Sequence, residues 1–247
     1  WLTTYRPDNT LSVSGGVRYD YGRMRVFAHD DPYLATYLQE QGYDEEQVEF
    51  YRWNSRRVNR NFGDYSLSLG VVWTPSMRHQ LKVNVGRSFR LPGANELASN
   101  GVHHGTFRHE QGDATLSSEQ GWQMDASYQL KYGRWSVYVS PFVNWFSNYI
   151  FLRPTGEWSV LPHTGQIYRY TQTEALFAGA EASVELTVLP TLNYRISGEY
   201  VYTYNCDERI PLSFSPPAAA QHAHLAKEAV YALCRMAEHN QAKSCGS

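Results

Sequence analysis

The stretch WQMDASYQL, Trp122–Leu130, decides the fold class, because apolar and polar residues alternate along it with a period of two. Such alternation is typical of a β-strand with one apolar and one polar face, since successive side chains point to opposite sides. The same pattern predicts six further strands and a partial strand at Trp1–Arg6. The six lie at Leu11–Tyr21, Tyr65–Trp73, Leu81–Val85, Trp135–Trp145, Ala178–Val188 and Leu192–Thr203.

Short and long links take turns between these predicted strands. The short links are Pro7–Thr10, Thr74–Arg78, Lys131–Gly133 and Leu189–Thr191. The long links are roughly Arg23–Asn61, Leu91–Ser118 and Arg153–Gln166. Short turns at one membrane surface and long loops at the other are typical of an outer-membrane β-barrel. We therefore predict an all-β fold, an antiparallel transmembrane β-barrel fragment of about eight strands, with apolar side chains outward and polar ones inward.

Composition excludes several other classes of protein. Aromatic residues make up 15% of the chain and apolar residues 42%, which excludes a disordered chain. A net charge of -2 argues against a nucleic-acid partner, which would require a basic face. The chain has no apolar run of about 18 residues, so a membrane-spanning helix is excluded, whereas a barrel is not. Aromatic residues near the predicted strand ends, among them Trp73, Tyr132 and Trp135, resemble interfacial girdles.

A dense motif lies between Leu81 and Glu119. Its residues are, in order, Arg87, Phe89, Arg90, Pro92, Glu96, Leu97, Asn100, Gly101, His103, Gly105, Thr106, Gly112, Asp113, Leu116 and Glu119. This order resembles the R-x-F-R-x-P…E-L…N-G…H-x-G-T…G-(D/N)-x-x-L-x-x-E block of TonB-dependent outer-membrane receptors. Gly16–Tyr21, Gly179–Glu181 and Pro211–Pro217 resemble other segments of that family, in family order.

The resemblance implies a barrel of about 22 strands with an N-terminal plug, in the cell outer membrane of a Gram-negative bacterium. Such a receptor takes up a scarce nutrient, here expected to be an iron-siderophore or haem, with energy from the TonB complex. The implied partners are that complex, reached through a plug that this sequence lacks, an extracellular small-molecule ligand and outer-membrane lipid. With about eight strands, the sequence is expected to be a fragment from the later half of the barrel.

Two regions are predicted along the chain. Residues 1–217 form the partial receptor barrel, and residues 218–247 form an atypical tail in which the alternation stops. Our hypothesis for the tail is a frameshift beyond about residue 220, and the alternative is a natural helical extension.

Candidate ligand-binding side chains lie mainly in the second long link. Imidazole and carboxylate groups suit zinc or iron, but adjacent His103 and His104 point to opposite sides of an extended segment, so no metal site is predicted. Arg87 and Arg90 could attract an anionic chelate, and the alternative is packing in the barrel interior or an ion pair with an acidic neighbour. Trp158 could stack on a ligand or anchor its loop. The candidate set is Arg90, His103, His104, Arg108, His109, Glu110 and Trp158.

The sequence contains no catalytic signature, so we predict neither an enzyme nor a cofactor, only binding without covalent chemistry. The acidic stretch Asp44–Glu49 is expected to be a solvated loop surface or a short helix. Two alternative functions stay open. One is a small complete outer-membrane barrel that acts as an adhesin or enzyme, and the other is a soluble β-sandwich that binds carbohydrate through its aromatic residues.

Overall fold

A computed structural model describes residues 1–103, 105–161, 165–190 and 192–212. Strands dominate the chain, and three short helices lie in its long links. The elements are β1 Leu2–Tyr5, β2 Leu11–Val26, β3 His29–Asp30, α1 Pro32–Glu40, α2 Glu45–Tyr51, β4 Trp53–Ser55, β5 Val58–Ser76, β6 His79–Arg90, α3 Ala94–Ala98, β7 Asn100–His103, β8 Arg108–Gln111, β9 Glu119–Tyr132, β10 Trp135–Trp158, β11 Gln166–Leu189, β12 Leu192–Asn205 and β13 Ile210–Pro211. In the described ranges, no helix is long and apolar enough to cross a membrane.

The main sheet is a single antiparallel meander. The eight strands β1, β2, β5, β6, β9, β10, β11 and β12 follow one another in that order, each paired with the next. In the described part of the chain, β1 pairs only with β2, so the sheet does not close on itself. This confirms the predicted all-β barrel fragment. An open sheet of this kind is neither a small complete barrel nor a pair of packed sheets.

The two faces of the sheet differ in polarity as the alternation predicts. Leu69 lies opposite Gly15 on one side and Val85 on the other, and its side chain is 54% exposed. Trp73 and Trp135, beside the short turns, are also exposed on this apolar face. The opposite face carries polar contacts, such as the Asn84 amide that donates to the Asp125 carboxylate over 2.7 Å. The apolar face has the character of a lipid-contacting surface.

Several strands extend beyond the predicted ends, into the long links. Strand β2 continues to Val26 and β5 begins at Val58, while β10 and β11 each contain 24 residues. In β10 the register shifts between Phe146 and Tyr149, which interrupts the period of two. The predicted strand therefore ended near this point, although the backbone pairing of β10 with β11 continues to Trp158. These extensions carry the sheet past the length that a tilted strand needs to cross a bilayer.

The long links fold at one end of the sheet. The first link contains α1 and α2 between the paired antiparallel strands β3 and β4. Asp44 caps α2 by accepting from the Gln47 amide over 2.8 Å. The acidic stretch therefore forms the short helix that was one of its two predicted conformations. The second link contains α3, β7 and β8, and β8 pairs in parallel with β11. The predicted tail, residues 218–247, lies outside the described residues, so its frameshift stays a prediction.

Candidate functional site

The motif residues tie the second long link to the end of the sheet. Arg90, the last residue of β6, lies 2.8 Å from the Glu96 carboxylate on α3 and 3.1 Å from the Glu119 carboxylate on β9. Both carboxylates have a further donor: the Gly93 amide donates to Glu96 over 2.7 Å, and the Ile150 amide donates to Glu119 over 2.9 Å. We call this group, Arg90, Gly93, Glu96, Glu119 and Ile150, the latch.

Arg87 forms a second ion pair, which is fully buried. Its Nη1 donates to the Asp64 carboxylate over 2.8 Å, and its guanidinium lies over the Tyr65 ring at 4.0 Å from the centroid. The Gln120 amide also donates to Asp64, over 2.9 Å. Phe89, two residues further along β6, lies half-buried opposite Gln120. Both arginines of the motif therefore form ion pairs with acidic neighbours, which was the alternative to a role in ligand binding.

Gly112 brings the end of the second link back onto α3. A Cβ at this position would lie 2.5 Å from the Ala98 backbone nitrogen, so only glycine permits the approach. The Gly112 amide donates to the Ser99 carbonyl over 2.7 Å, and the Asp113 amide donates to the Glu96 carbonyl over 2.8 Å. Apolar motif residues complete the contact. Three of them, Pro92, Leu97 and Leu116, are buried. Leu97 and Leu116 belong to one apolar cluster with Val58, Phe62, Ala98 and Ile150.

His109 is held inside the folded link. Its side chain is fully buried. The ring atom Nδ1 lies 2.7 Å from the Ser159 hydroxyl, and Nε2 lies 3.2 Å from Oδ1 of the Asn100 side chain. Burial lowers the pKa of His109 to about 4, so the imidazole is neutral at pH 7. Both ring nitrogens have protein partners, and the edge of the ring packs against Tyr51. These contacts give His109 a structural role in the folded link.

The folded links line an open cavity of about 700 Å³. Two predicted ligand-binding residues, His103 and Glu110, line it. The other lining residues come from all three long links and were not predicted from the sequence. They are Asp31, Leu34, Asn54, Asn95, Ser99, Gly101, Val102, Phe107 and Leu161. No local signal singles them out, because residues as distant as Asp31 and Leu161 meet only after the links have folded.

Glu110 is fixed at the wall of this cavity by a short chain of hydrogen bonds. The Tyr170 hydroxyl donates to Glu110 Oε2 over 2.9 Å, and the Asn95 amide donates to the Tyr170 oxygen over 3.3 Å. Burial and the hydrogen bond to Glu110 raise the pKa of Tyr170 to about 12. The phenol therefore stays protonated and donates at any physiological pH, which leaves Glu110 as the charged member of the chain.

Of the other predicted ligand-binding residues that the structure describes, none is among the residues that line the cavity. Arg90 belongs to the latch, and the Arg108 guanidinium lies over the Tyr168 ring at 5.3 Å from the centroid. Trp158 is 70% exposed at the end of β10, and His104 lies outside the described residues. Across the described ranges, no three His, Cys, Asp or Glu side chains are grouped closely enough to hold a metal ion. A role for these residues in ligand binding stays a prediction.

Solved structures share this fold over most of the chain. The copper transporter OprC matches with a TM-score of 0.64 at 14% identity, over 85% of this chain and 29% of that one. The siderophore receptor PirA from Pseudomonas aeruginosa matches with a TM-score of 0.52 at 13% identity, over 82% and 30%. A double mutant of the Serratia marcescens hemophore receptor HasR, in complex with its hemophore HasA and heme, matches with a TM-score of 0.53 at 20% identity, over 83% and 32%.

These likenesses show the fold, and the chain spans less than a third of the length of each of these structures, 29% to 32%. A family model described as TonB dependent receptor-like, beta-barrel, matches residues 2–228. The match covers the whole sheet and the motif that forms the latch. The chain therefore belongs to the family of TonB-dependent receptor-like β-barrels.

Proposed function

We propose that this chain is part of an outer-membrane receptor of a Gram-negative bacterium that takes up an iron-siderophore or haem with energy from the TonB complex. Membership of the family supports uptake as the function. The related structures include a siderophore receptor and a hemophore receptor with bound heme, and both scaffolds match this chain at a TM-score above 0.5. In this proposal the ligand arrives from outside the cell, and the TonB complex acts through a plug that lies outside this sequence.

The observation that carries the proposal is the cavity between the long links. Its volume of about 700 Å³ falls within the usual range of sites for small molecules, about 300 to 1,000 Å³. Its lining combines apolar side chains with a few polar groups, as such sites do. The latch and the Gly112 contact hold the second link over the sheet, so the lining is built from tethered segments.

Binding in this proposal is non-covalent and takes place at the loop end of the sheet. The chain contributes a shaped wall, with hydrogen-bonding groups at fixed positions, and an apolar outer face in contact with lipid. The structures reported above are transporters and receptors by name. A transport receptor must release the ligand after binding it, and non-covalent contacts permit both steps.

Growth under iron limitation tests this function. The complete gene that contains this chain is expressed in a bacterial host without other iron receptors, and growth is supplied with single ferric siderophores or haem. We expect growth on at least one of these sources, and we expect it to disappear when the TonB gene is deleted. Growth without TonB, or no rescue by any ferric source, would contradict the proposal.

A pair of variants links uptake to the cavity. His103→Trp adds bulk to a lining residue, so we expect uptake of the supported ligand to fall about tenfold or more. Tyr33→Trp is the control, because Tyr33 is 87% exposed on α1 and does not line the cavity. Equal uptake by both variants, at equal amounts of receptor in the membrane, would place the ligand elsewhere.

A further inference from the structure

We infer that the cavity between the long links selects neutral or positively charged ferric chelates, such as trihydroxamates, over strongly anionic ones, such as tricatecholates or haem. This inference rests on the proposed uptake function and specifies its substrate class. The net charge of each chelate follows from the charges of its iron-binding groups. Three singly charged hydroxamates neutralise a ferric ion, whereas three doubly charged catecholates leave three negative charges, and haem carries two propionates.

The formal charges among the described lining residues are negative. Asp31 and Glu110 contribute carboxylates, and no lysine or arginine appears among the described residues that line the cavity. Carboxylates repel an anionic chelate, and they attract a chelate that carries an ammonium group or presents N–H donors. A site built to bind a trianion would instead place guanidinium groups at the wall.

Both carboxylates are held in place by protein contacts. Asp31 Oδ1 accepts from the Tyr33 and Leu34 amides, each over 3.1 Å, because Asp31 caps α1. Glu110 Oε2 accepts from Tyr170, and Glu110 Oε1 has no hydrogen-bond partner among the described contacts. Each residue therefore presents a fixed negative charge at the cavity with an oxygen available for a ligand donor.

Four arginines of the surrounding links, Arg52, Arg56, Arg90 and Arg108, have other contacts in the described part of the chain. Arg52 lies 2.5 Å from the Asp30 carboxylate, and its Nη1 lies 3.3 Å from Glu49. The Arg56 guanidinium lies over the Phe50 ring at 4.8 Å from the centroid. Arg108 stacks on Tyr168, and Arg90 is neutralised by the two carboxylates of the latch. None of these four arginines is among the described residues that line the cavity.

The uncharged part of the lining also fits a hydroxamate chelate. Asn54 and Asn95 offer amide groups that both donate and accept. Apolar contacts for the methylene spacers of such a chelate come from Leu34, Val102, Phe107 and Leu161.

A series of chelates that share one trihydroxamate core and differ in the charge of the terminal group tests the inference. Ferric desferrioxamine B is singly positive through its terminal amine, its N-acetyl derivative is neutral, and its N-succinyl derivative is singly negative. We expect the dissociation constant for the complete receptor to rise about tenfold at each step along this series at low salt. The differences should shrink when the salt concentration is raised, because mobile ions screen the carboxylates. Ferric tricatecholate and haem complete the panel.

Variants assign the preference to the two carboxylates. The double variant Asp31→Asn, Glu110→Gln keeps an Asn cap on α1 and an acceptor for Tyr170, while it removes both charges. We expect this variant to bind the positive and negative derivatives within about threefold of each other. Glu40→Gln is the control, since Glu40 is an exposed carboxylate at the end of α1 and does not line the cavity. It should keep the full preference.

The outcomes separate this inference from the proposed function. Binding of hydroxamates without dependence on charge, or a preference for tricatecholate or haem, would overturn the inference and leave uptake intact. The same holds if the double variant retains the preference of the parent receptor. Failure of every ferric chelate and of haem to bind or support growth would overturn the proposed function itself.

Discussion

The Arg90 guanidinium lies 2.8 Å from the Glu96 carboxylate and joins the end of β6 to α3, six residues further along the chain. The same guanidinium reaches Glu119 at the start of β9, so one side chain ties together both ends of the second link. The Glu96 and Glu119 side chains are largely buried, whereas Arg90 is 45% exposed. The latch is therefore a partly solvated ion-pair network whose carboxylates depend on one arginine.

Loss of that arginine should loosen the second link without unfolding the sheet. Arg90→Ala leaves two poorly solvated carboxylates without their counter-charge, and removal of one partner of a buried pair costs about 3–5 kcal/mol. Because Arg90 is partly exposed, we expect about 1–3 kcal/mol of local destabilisation. Hydrogen exchange of the amides in residues 91–118 measures this effect. Arg18→Ala, which removes the exposed ion pair with Asp20, should change exchange little, and equal effects would contradict the latch.

Gly112 gives a steric test of the same link. In Gly112→Ala the new methyl group would lie 2.5 Å from the Ala98 nitrogen and 2.7 Å from the Leu97 carbonyl carbon, and both are backbone atoms that cannot rotate away. We expect a destabilisation of about 1–3 kcal/mol, as for an overpacked core. Gly198→Ala is the control, because nothing lies within 4 Å of its added Cβ. Proteolysis of the link should accelerate in the first variant only.

Local pattern predicted the sheet well, since a period of two needs only neighbouring residues. The eight strands and their order follow from the alternation around stretches such as Trp122–Leu130 and from the lengths of the links. The extension of β10 was missed because a register shift after Phe146 breaks the period of two while the backbone hydrogen bonds continue. The resemblance identified the family, and its motif contains the charged residues of the latch. The ion pairs of Arg90 with Glu96 and Glu119 could be recognised only from the folded structure.

The cavity was beyond the reach of the sequence for a different reason. Its lining joins Asp31 and Asn54 from the first link, Glu110 from the second and Leu161 from the third. Sequence reasoning favoured histidines and arginines because their chemistry suits chelates, but the fold buries His109 and commits Arg90 to the latch. Asparagines and an aspartate that caps a helix are not recognisable in the sequence as ligand-binding residues, because only the folded links bring them to one cavity.

The burial of His109 predicts that the second link loosens in acid. The folded pKa, about 4, is lower than the ordinary value of 6.5, so between these pH values the unfolded link binds a proton that the folded link does not. This contribution to stability is complete above about pH 6.5 and is lost as the pH falls towards 4. The total loss is about 3 kcal/mol. Hydrogen exchange in β7 and β8, corrected for intrinsic rates, should report it.

His109→Gln provides the matched comparison for this pH dependence. Glutamine keeps groups that can bond to Ser159 and Asn100 but does not titrate, so the slope between pH 6.5 and 4 should flatten. His79→Gln, at the short turn before β6, should leave the slope unchanged. A parent receptor with no loss of protection in β8 at pH 4 would refute the neutral, buried imidazole.

The alternation of faces predicts opposite outcomes for two neighbouring residues of β10. Val139 lies beside Tyr128 and Ala182 on the apolar face, whereas Ser140 lies opposite Glu181 on the polar face. Val139→Arg in the complete barrel should cost about 2–4 kcal/mol near the bilayer midplane, because a guanidinium is poorly solvated by hydrocarbon. Ser140→Arg should be much milder, since water and the Glu181 carboxylate can solvate the new charge. Denaturant titration of the receptor refolded in lipid vesicles compares the two, and equal losses would mean that the faces have been assigned wrongly.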